Sequence, residues 1–118
     1  ILNCFAPMFE QEFHRILKDK GIFIRVLPGK NHLYELKSIL YQQVEYNELK
    51  ELKITGFTLL DQITIQQTIE LKSNQEIMDL FMMTPYFYKS SKESHQNLAK
   101  HSFLKTTAEF VILIYQKS

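Results

Sequence analysis

Apolar positions along this chain fall into short blocks whose spacing alternates between strand-like and helix-like. The opening block, Ile1 to Pro7 ("ILNCFAP"), reads as a short buried strand stopped by Pro7, because proline cannot extend a hydrogen-bonded ladder. From Met8 to Gly21, Phe9, Phe13, Ile16 and Leu17 recur at helical spacing and define one face. Glu10 and Glu12 in the first turn and Lys18 and Lys20 in the last suit the helix dipole, and Gly21 is a natural stop. Ile22 to Pro28 ("IFIRVLP") is nearly all apolar, the pattern of a strand buried on both faces. A strand, a helix and a strand this close together predict a right-handed parallel crossover.

Further on, Asn31 is placed to cap a helix that carries Leu33, Leu36 and Leu40 and runs to about Val44. A shorter helix or turn follows, with Leu49 and Leu52 inward and Gly56 at its end. Phe57 to Leu71 alternates around Ile63, Ile65, Ile69 and Leu71, which predicts a strand with a break near Asp61. Ser73 and Glu76 have capping-box spacing and open a helix through Ile77, Leu80 and Phe81 that stops before Pro85. Ser90 and Glu93 repeat the signal ahead of a helix through Leu98. The closing stretch, "TAEFVILIYQK", is a strand of β-branched and aromatic residues. Two crossover strands followed by two later strands separated by helices make an α/β sheet. No repeat, low-complexity run or Pro/Gly-rich linker divides the chain.

Length sets the scale: 118 residues is one small domain or a piece of a larger one. Nine Phe and six Tyr can fill a core without any Trp. A net charge of +1 exerts no general pull toward nucleic acid or an anionic membrane. The single cysteine, Cys4, excludes an internal disulfide and a cysteine-rich zinc site, fits a reducing compartment, and in its strand reads as a small buried hydrophobe. No apolar run approaches the roughly 18 residues of a membrane span, and no signal peptide is visible. Ile1 falls inside an apolar stretch, so further residues are expected upstream.

Candidate chemistry is sparse. Glu10 and His14, four apart, could chelate on one helix face, but no third ligand has a convincing spacing, so no metal site is assigned. The three glycines, Gly21, Gly29 and Gly56, form no phosphate loop. Lys89, Lys92, Lys100 and Lys105 cluster near Tyr86, Phe87 and Tyr88. Lysines beside aromatics can hold phosphate and stack a base, but the favoured reading is a solvated helical face over an ordinary aromatic core. His32 follows the predicted strand Ile22–Leu27 at its carboxyl end, where ligands sit in open α/β sheets; otherwise it belongs to the helix cap.

Several stretches, in order, resemble a known family: Phe5-Ala6-Pro7; Arg15-Ile16-Leu17-Lys18 with Gly21; Pro28; His32-Leu33 with Glu35-Leu36-Lys37; Gly56-Phe57-Thr58-Leu59; and Met83-Thr84-Pro85-Tyr86. Together they resemble the C-terminal half of a class I S-adenosylmethionine-dependent methyltransferase. More narrowly, they resemble the bacterial large-subunit (23S) rRNA (guanine-N1)-methyltransferases. "RILK..G" is common to many methyltransferases, whereas "HLxELK" and "MTPY" carry the narrower resemblance.

The resemblance implies the C-terminal half of a Rossmann-like fold: its fourth to seventh strands in a mixed sheet, the last antiparallel. Residues 1–118 would then be one partial domain of a cytoplasmic enzyme. His32 would contact S-adenosylmethionine, and Asn3, Phe5, Ala6 and Pro7 would line the floor where the target base meets the methyl group. Asp61 and Glu35 are candidates for a general base only by residue type. The intact enzyme would methylate guanine N1 of rRNA. The family's N-terminal zinc module, its glycine-rich cofactor loop and the acid that holds the ribose have no counterpart here, so the isolated chain is expected to bind cofactor weakly or not at all and to be inactive. A degenerate, non-catalytic interaction module and half of a small-molecule methyltransferase are the alternatives. Without the first strand of the parent fold, Ile1–Ala6 becomes an uncharged edge, and self-association through it, most simply as a dimer, is expected.

Overall fold

The computed structural model describes residues 1–44 and 52–118. Along the chain they form β1 (Leu2–Cys4), α1 (Glu10–Ile16), β2 (Ile22–Pro28), α2 (Tyr34–Leu40), β3 (Phe57–Leu71), α3 (Asn74–Met82), α4 (Tyr86–Lys89), α5 (Lys92–Leu98) and β4 (Leu104–Lys117). The strands make one sheet in the order β1-β2-β4-β3. β1 pairs parallel with β2, Asn3 opposite Arg25, and α1 lies on the crossover between them, since parallel strands cannot be joined by a tight turn. β4 lies between β2 and β3 and runs antiparallel to β2, from Ile22 opposite Gln116 to Pro28 opposite Phe110. This is a mixed α/β sheet with its last strand reversed.

The described residues form two compact units: 1–30, 52–66 and 109–118 in the first, 31–44 and 67–108 in the second, with the long strands β3 and β4 contributing to both. In the first unit Phe23, Ile54, Phe57, Val111, Leu113 and Tyr115 are buried together. Phe23 stacks on Tyr115 with centroids 5.5 Å apart, and the Tyr115 hydroxyl donates to the Leu52 carbonyl at 2.6 Å. That bond lets a phenol sit in an apolar core without stranding its oxygen.

The sequence pattern overstated what α1 and β2 bury. Phe13 and Leu17 pack on this core, but Phe9 and Ile16 are exposed: a helix of seven residues presents little more than one i,i+4 pair to the sheet. β2 is sealed around Phe23, yet its first residue, Ile22, is exposed. Cys4 is also exposed, contrary to expectation, because strand alternation turns Asn3 inward and leaves Leu2 and Cys4 outside. β3 is continuous through Asp61, with no break, and the turn before it places Gly56 at φ +88°, a conformation glycine reaches without strain. Of the segment predicted between residues 46 and 56, Leu49 lies outside the described residues, while Leu52 packs on the first-unit core.

In the second unit Leu33, Leu36, Leu40, Leu71, Ile77, Phe81, Leu98 and Leu104 form the core. α2 begins two residues later than its cap signal suggests and ends at Leu40 rather than Val44. Asn31 contributes its carbonyl, which accepts from Tyr34 N at 3.2 Å, while the cap position itself is Leu33, left-handed at φ 54° and without any side-chain cap. The Ser73 signal holds: its hydroxyl accepts from Glu76 N at 3.2 Å, and the Glu76 carboxylate reaches back to Lys72 N at 2.7 Å. The next cap falls one residue beyond Ser90. Ser90 donates to the Tyr86 carbonyl, so Ser91 caps α5 by accepting from Ser94 N at 3.1 Å. No helix among the described residues is long and apolar enough to cross a membrane.

Candidate functional site

At the end of β1 the chain makes a tight, pinned turn. Phe5 takes a left-handed conformation at φ 50°, its amide donates to the Val26 carbonyl at 3.1 Å, and its ring lies 5.7 Å from that of Phe110. Asn3, only 4% exposed, sends Nδ2 to the Pro7 carbonyl at 3.0 Å and so ties the strand to the loop that leaves it. A carbonyl can only accept, which fixes the amide orientation and turns Oδ1 the other way. That oxygen is buried with no partner among the described residues. On β2, in register with Asn3, Arg25 likewise buries Nε without a partner. Both atoms are sealed from solvent on adjacent strands, and each costs free energy while unmet. Phe5, Ala6 and Pro7 are exposed beside them. Asn3, Phe5, Ala6 and Pro7 therefore stand together in the first unit, and Arg25 joins Asn3 there. Arg25 was not singled out from the sequence, although an arginine inside the apolar run "IFIRVLP" is a visible signal.

His32 lies in the second unit, half-buried in the turn that precedes α2. The backbone of this turn is held firmly: Leu33 N donates to the Thr107 carbonyl at 2.6 Å. Glu35 clamps the same strand, accepting from Thr107 N at 2.9 Å, from Thr107 Oγ1 at 2.8 Å and from Thr106 Oγ1 at 3.2 Å. Burial pushes its carboxyl up, but the hydrogen bonds from Thr107 and Thr106 outweigh that and hold it below the usual carboxylate range. A carboxylate so engaged acts as a structural clamp. Asp61 is exposed on β3, its Oδ1 accepting from Gln62 N at 2.8 Å. Lys37 is buried in the apolar stripe of α2, its Nζ 5.8 Å from the centre of the Tyr86 ring, and burial pushes its ammonium down. Its spacing with Leu33, Leu36 and Leu40 already placed it on that stripe.

The remaining candidates divide. A Cβ at Gly29 would collide with the side chain of Glu109, one at Gly21 with the Lys18 carbonyl, and one at Gly56 with His14. Each glycine thus makes room for the protein's own atoms, and none opens a cradle for a cofactor. Glu10 and His14 border a cleft with Gly56, but no group of three metal-ligating side chains exists among the described residues. The basic cluster splits: Lys105 pairs with Glu70 at 3.6 Å, while Lys89 and Lys100 line an open cleft of about 980 Å³ between the end of α2 and α5. Tyr86 and Phe87 pack inward, and Tyr88 is 84% exposed.

No family model matches the chain. A Bacillus subtilis (strain 168) protein described as "Putative 23S rRNA (guanine-N(1)-)-methyltransferase YxjB" is 27% identical over 121 residues, taking in 99% of this chain and 43% of that protein, in its C-terminal part. This chain resembles part of a methyltransferase. It spans less than half the length of the curated relative it matches. A solved structure described as "crystal structure of a putative methyltransferase", from Bacillus halodurans C-125, overlays 90% of this methyltransferase-like chain and 55% of that chain with a TM-score of 0.46 and 16% identity, too loosely to add to the strand order already described.

Proposed function

We propose that this chain is the C-terminal portion of an S-adenosylmethionine-dependent methyltransferase whose intact, cytoplasmic form methylates guanine N1 of large-subunit rRNA. The observation that carries the proposal is similarity along 99% of the chain to the C-terminal part of the Bacillus subtilis relative. A sheet of two parallel strands with a reversed β4 beside them agrees with it. In this reading Asn3, Phe5, Ala6 and Pro7, which stand together at the pinned turn after β1, line the floor that receives the target base. His32 is the cofactor contact. S-adenosylmethionine would supply the activated methyl group, and the rest of its pocket must come from outside the described residues.

Two experiments test this. Methylation at N1 blocks the pairing edge of guanine, so reverse transcription stops there. The gene product, with whatever residues precede Ile1, should produce one such stop in 23S rRNA when given S-adenosylmethionine, and no stop would refute the proposal. In that protein His32→Ala should weaken cofactor affinity by about 1–2 kcal/mol, the size of one lost hydrogen bond. By itself the 118-residue chain should show little or no S-adenosylmethionine binding in a calorimetric titration, and micromolar binding at one site per chain would contradict the incomplete pocket.

The second reading is a non-catalytic, methyltransferase-like interaction module that self-associates through β1. Leu2 at 67% exposure on a strand with one neighbour in the sheet, and Phe5 at 55% in the turn after it, favour it.

A further inference from the structure

We infer that the cleft between the end of α2 and α5 is an RNA-backbone site, with Lys89 and Lys100 meeting phosphates and Tyr88 stacking a base. This rests on the proposal that the substrate is RNA and names the surface that would hold it. Charge is the first support. From Thr84 to Thr107 the chain carries four lysines against one glutamate, +3, although the whole chain is only +1. Lys105 is taken up by Glu70, but among the described residues Lys89, Lys92 and Lys100 have no carboxylate partner. Glu93 is the single carboxylate among the described residues that line the cleft.

The build of the cleft is the second support. Ser94 donates to the Leu40 carbonyl at 2.6 Å and Asn97 to the Ile39 carbonyl at 3.3 Å, so α5 is fastened to the end of α2, with Lys89 at the end of α4 and Lys100 just past α5 lining the cleft they frame. Beside Ile39, Leu40 and Tyr41, its lining carries four serines and three side-chain amides, short polar groups that suit a sugar-phosphate backbone. The third support is Tyr88, next in sequence to Lys89. Tyr86 and Phe87 are committed to the second-unit core, whereas Tyr88 leaves most of its ring in solvent. Phe87 braces it edge-on, with centroids 5.1 Å apart. An open aromatic face beside lysines is the arrangement that binds single-stranded RNA with little regard to sequence.

The test is fluorescence anisotropy of the full 118-residue chain with a labelled, mixed-sequence single-stranded RNA of ~20 nucleotides over a salt series, a length chosen to exceed common site sizes. Lys89→Glu combined with Lys100→Glu should weaken binding about tenfold or more and flatten the log–log salt slope by about 1.4, two phosphate contacts' worth. Tyr88→Ala should weaken binding and leave the slope unchanged, the mark of a lost stack rather than a lost ion contact. Lys18→Glu with Lys20→Glu, the same charge change in the first unit, should have a smaller effect than the cleft pair. RNA binding that ignores the cleft variants would overturn this site while leaving RNA as the substrate. No RNA binding by the unmodified chain at 50 mM salt would overturn the site as well, and the reverse-transcription stop decides separately whether the intact protein methylates rRNA.

Discussion

Glu35→Ala is the sharpest probe of how this chain holds its candidate cofactor turn. One carboxylate accepts three hydrogen bonds from β4, and Thr106, which supplies one of them, is fully buried. A hydrogen bond to a charged acceptor contributes about 1.5–3 kcal/mol, but three bonds sharing one acceptor are coupled and do not simply add. Truncation also leaves the Thr107 amide and the Thr106 hydroxyl short of a partner. The expected loss is about 2–4 kcal/mol, or roughly 10 °C or more in Tm for a chain of this size. The assay is thermal unfolding followed by circular dichroism. The pH dependence gives an independent check. Folding lowers the Glu35 pKa, so its contribution is fully present above the ordinary carboxylate range and disappears as the pH falls through the folded value. The gap in Tm between the unmodified chain and Glu35→Gln should therefore be widest at neutral pH and close in acid. A Glu35→Ala Tm within about 2 °C of the unmodified chain, or a gap that widens in acid, would refute the clamp.

Gly29→Ala should destabilise by about 1–3 kcal/mol, because its new methyl group must displace the buried Glu109 side chain; a denaturant midpoint unchanged from the unmodified chain would contradict this. Ser73→Ala removes the α3 cap and should cost about 1 kcal/mol in the same experiment, with Ser90→Ala as a control that leaves both hydroxyl caps intact. The chain should self-associate through β1 at tens of micromolar by light scattering, and Leu2→Lys should reduce the association; a strict monomer, or a dimer indifferent to the substitution, would rule it out.

How much of this could be read from residues depended on what each signal measures. β2 was legible residue for residue because an apolar run between Gly21 and Pro28 has few other uses. α3 was legible because Ser73 caps the Glu76 amide as their spacing promised, while the Glu76 carboxylate reaches one residue further back, to Lys72 N. α2 was misplaced at its start because an asparagine after a glycine turn looks like a side-chain cap, whereas here the turn is held by backbone bonds to β4 that no local pattern records. Cys4 was misread for a related reason: composition says that a cysteine prefers the interior, but strand alternation turned Asn3 inward and left Cys4 outside. At the candidate site, Asn3 through Pro7 and His32 were reached through resemblance. The unmet polar atoms of Asn3 and Arg25 come from geometry, and the only trace of them in the sequence is a charge where none was expected.

The outward face of β1 carries the only thiol in the molecule. That makes the edge strand self-reporting. In the 118-residue chain a maleimide dye or a colorimetric disulfide reagent has one cysteine to modify, Cys4, with no engineered handle. A strand added to the edge of a sheet brings its side chains to within about 5 Å of those it joins, so anything that docks there must slow the reaction. Labelling rate against protein concentration then gives an association curve, and the same measurement in the presence of any upstream fragment shows whether that fragment completes the sheet. The label also works in reverse, since a bulky adduct at this position should hold the edge open and keep chains apart.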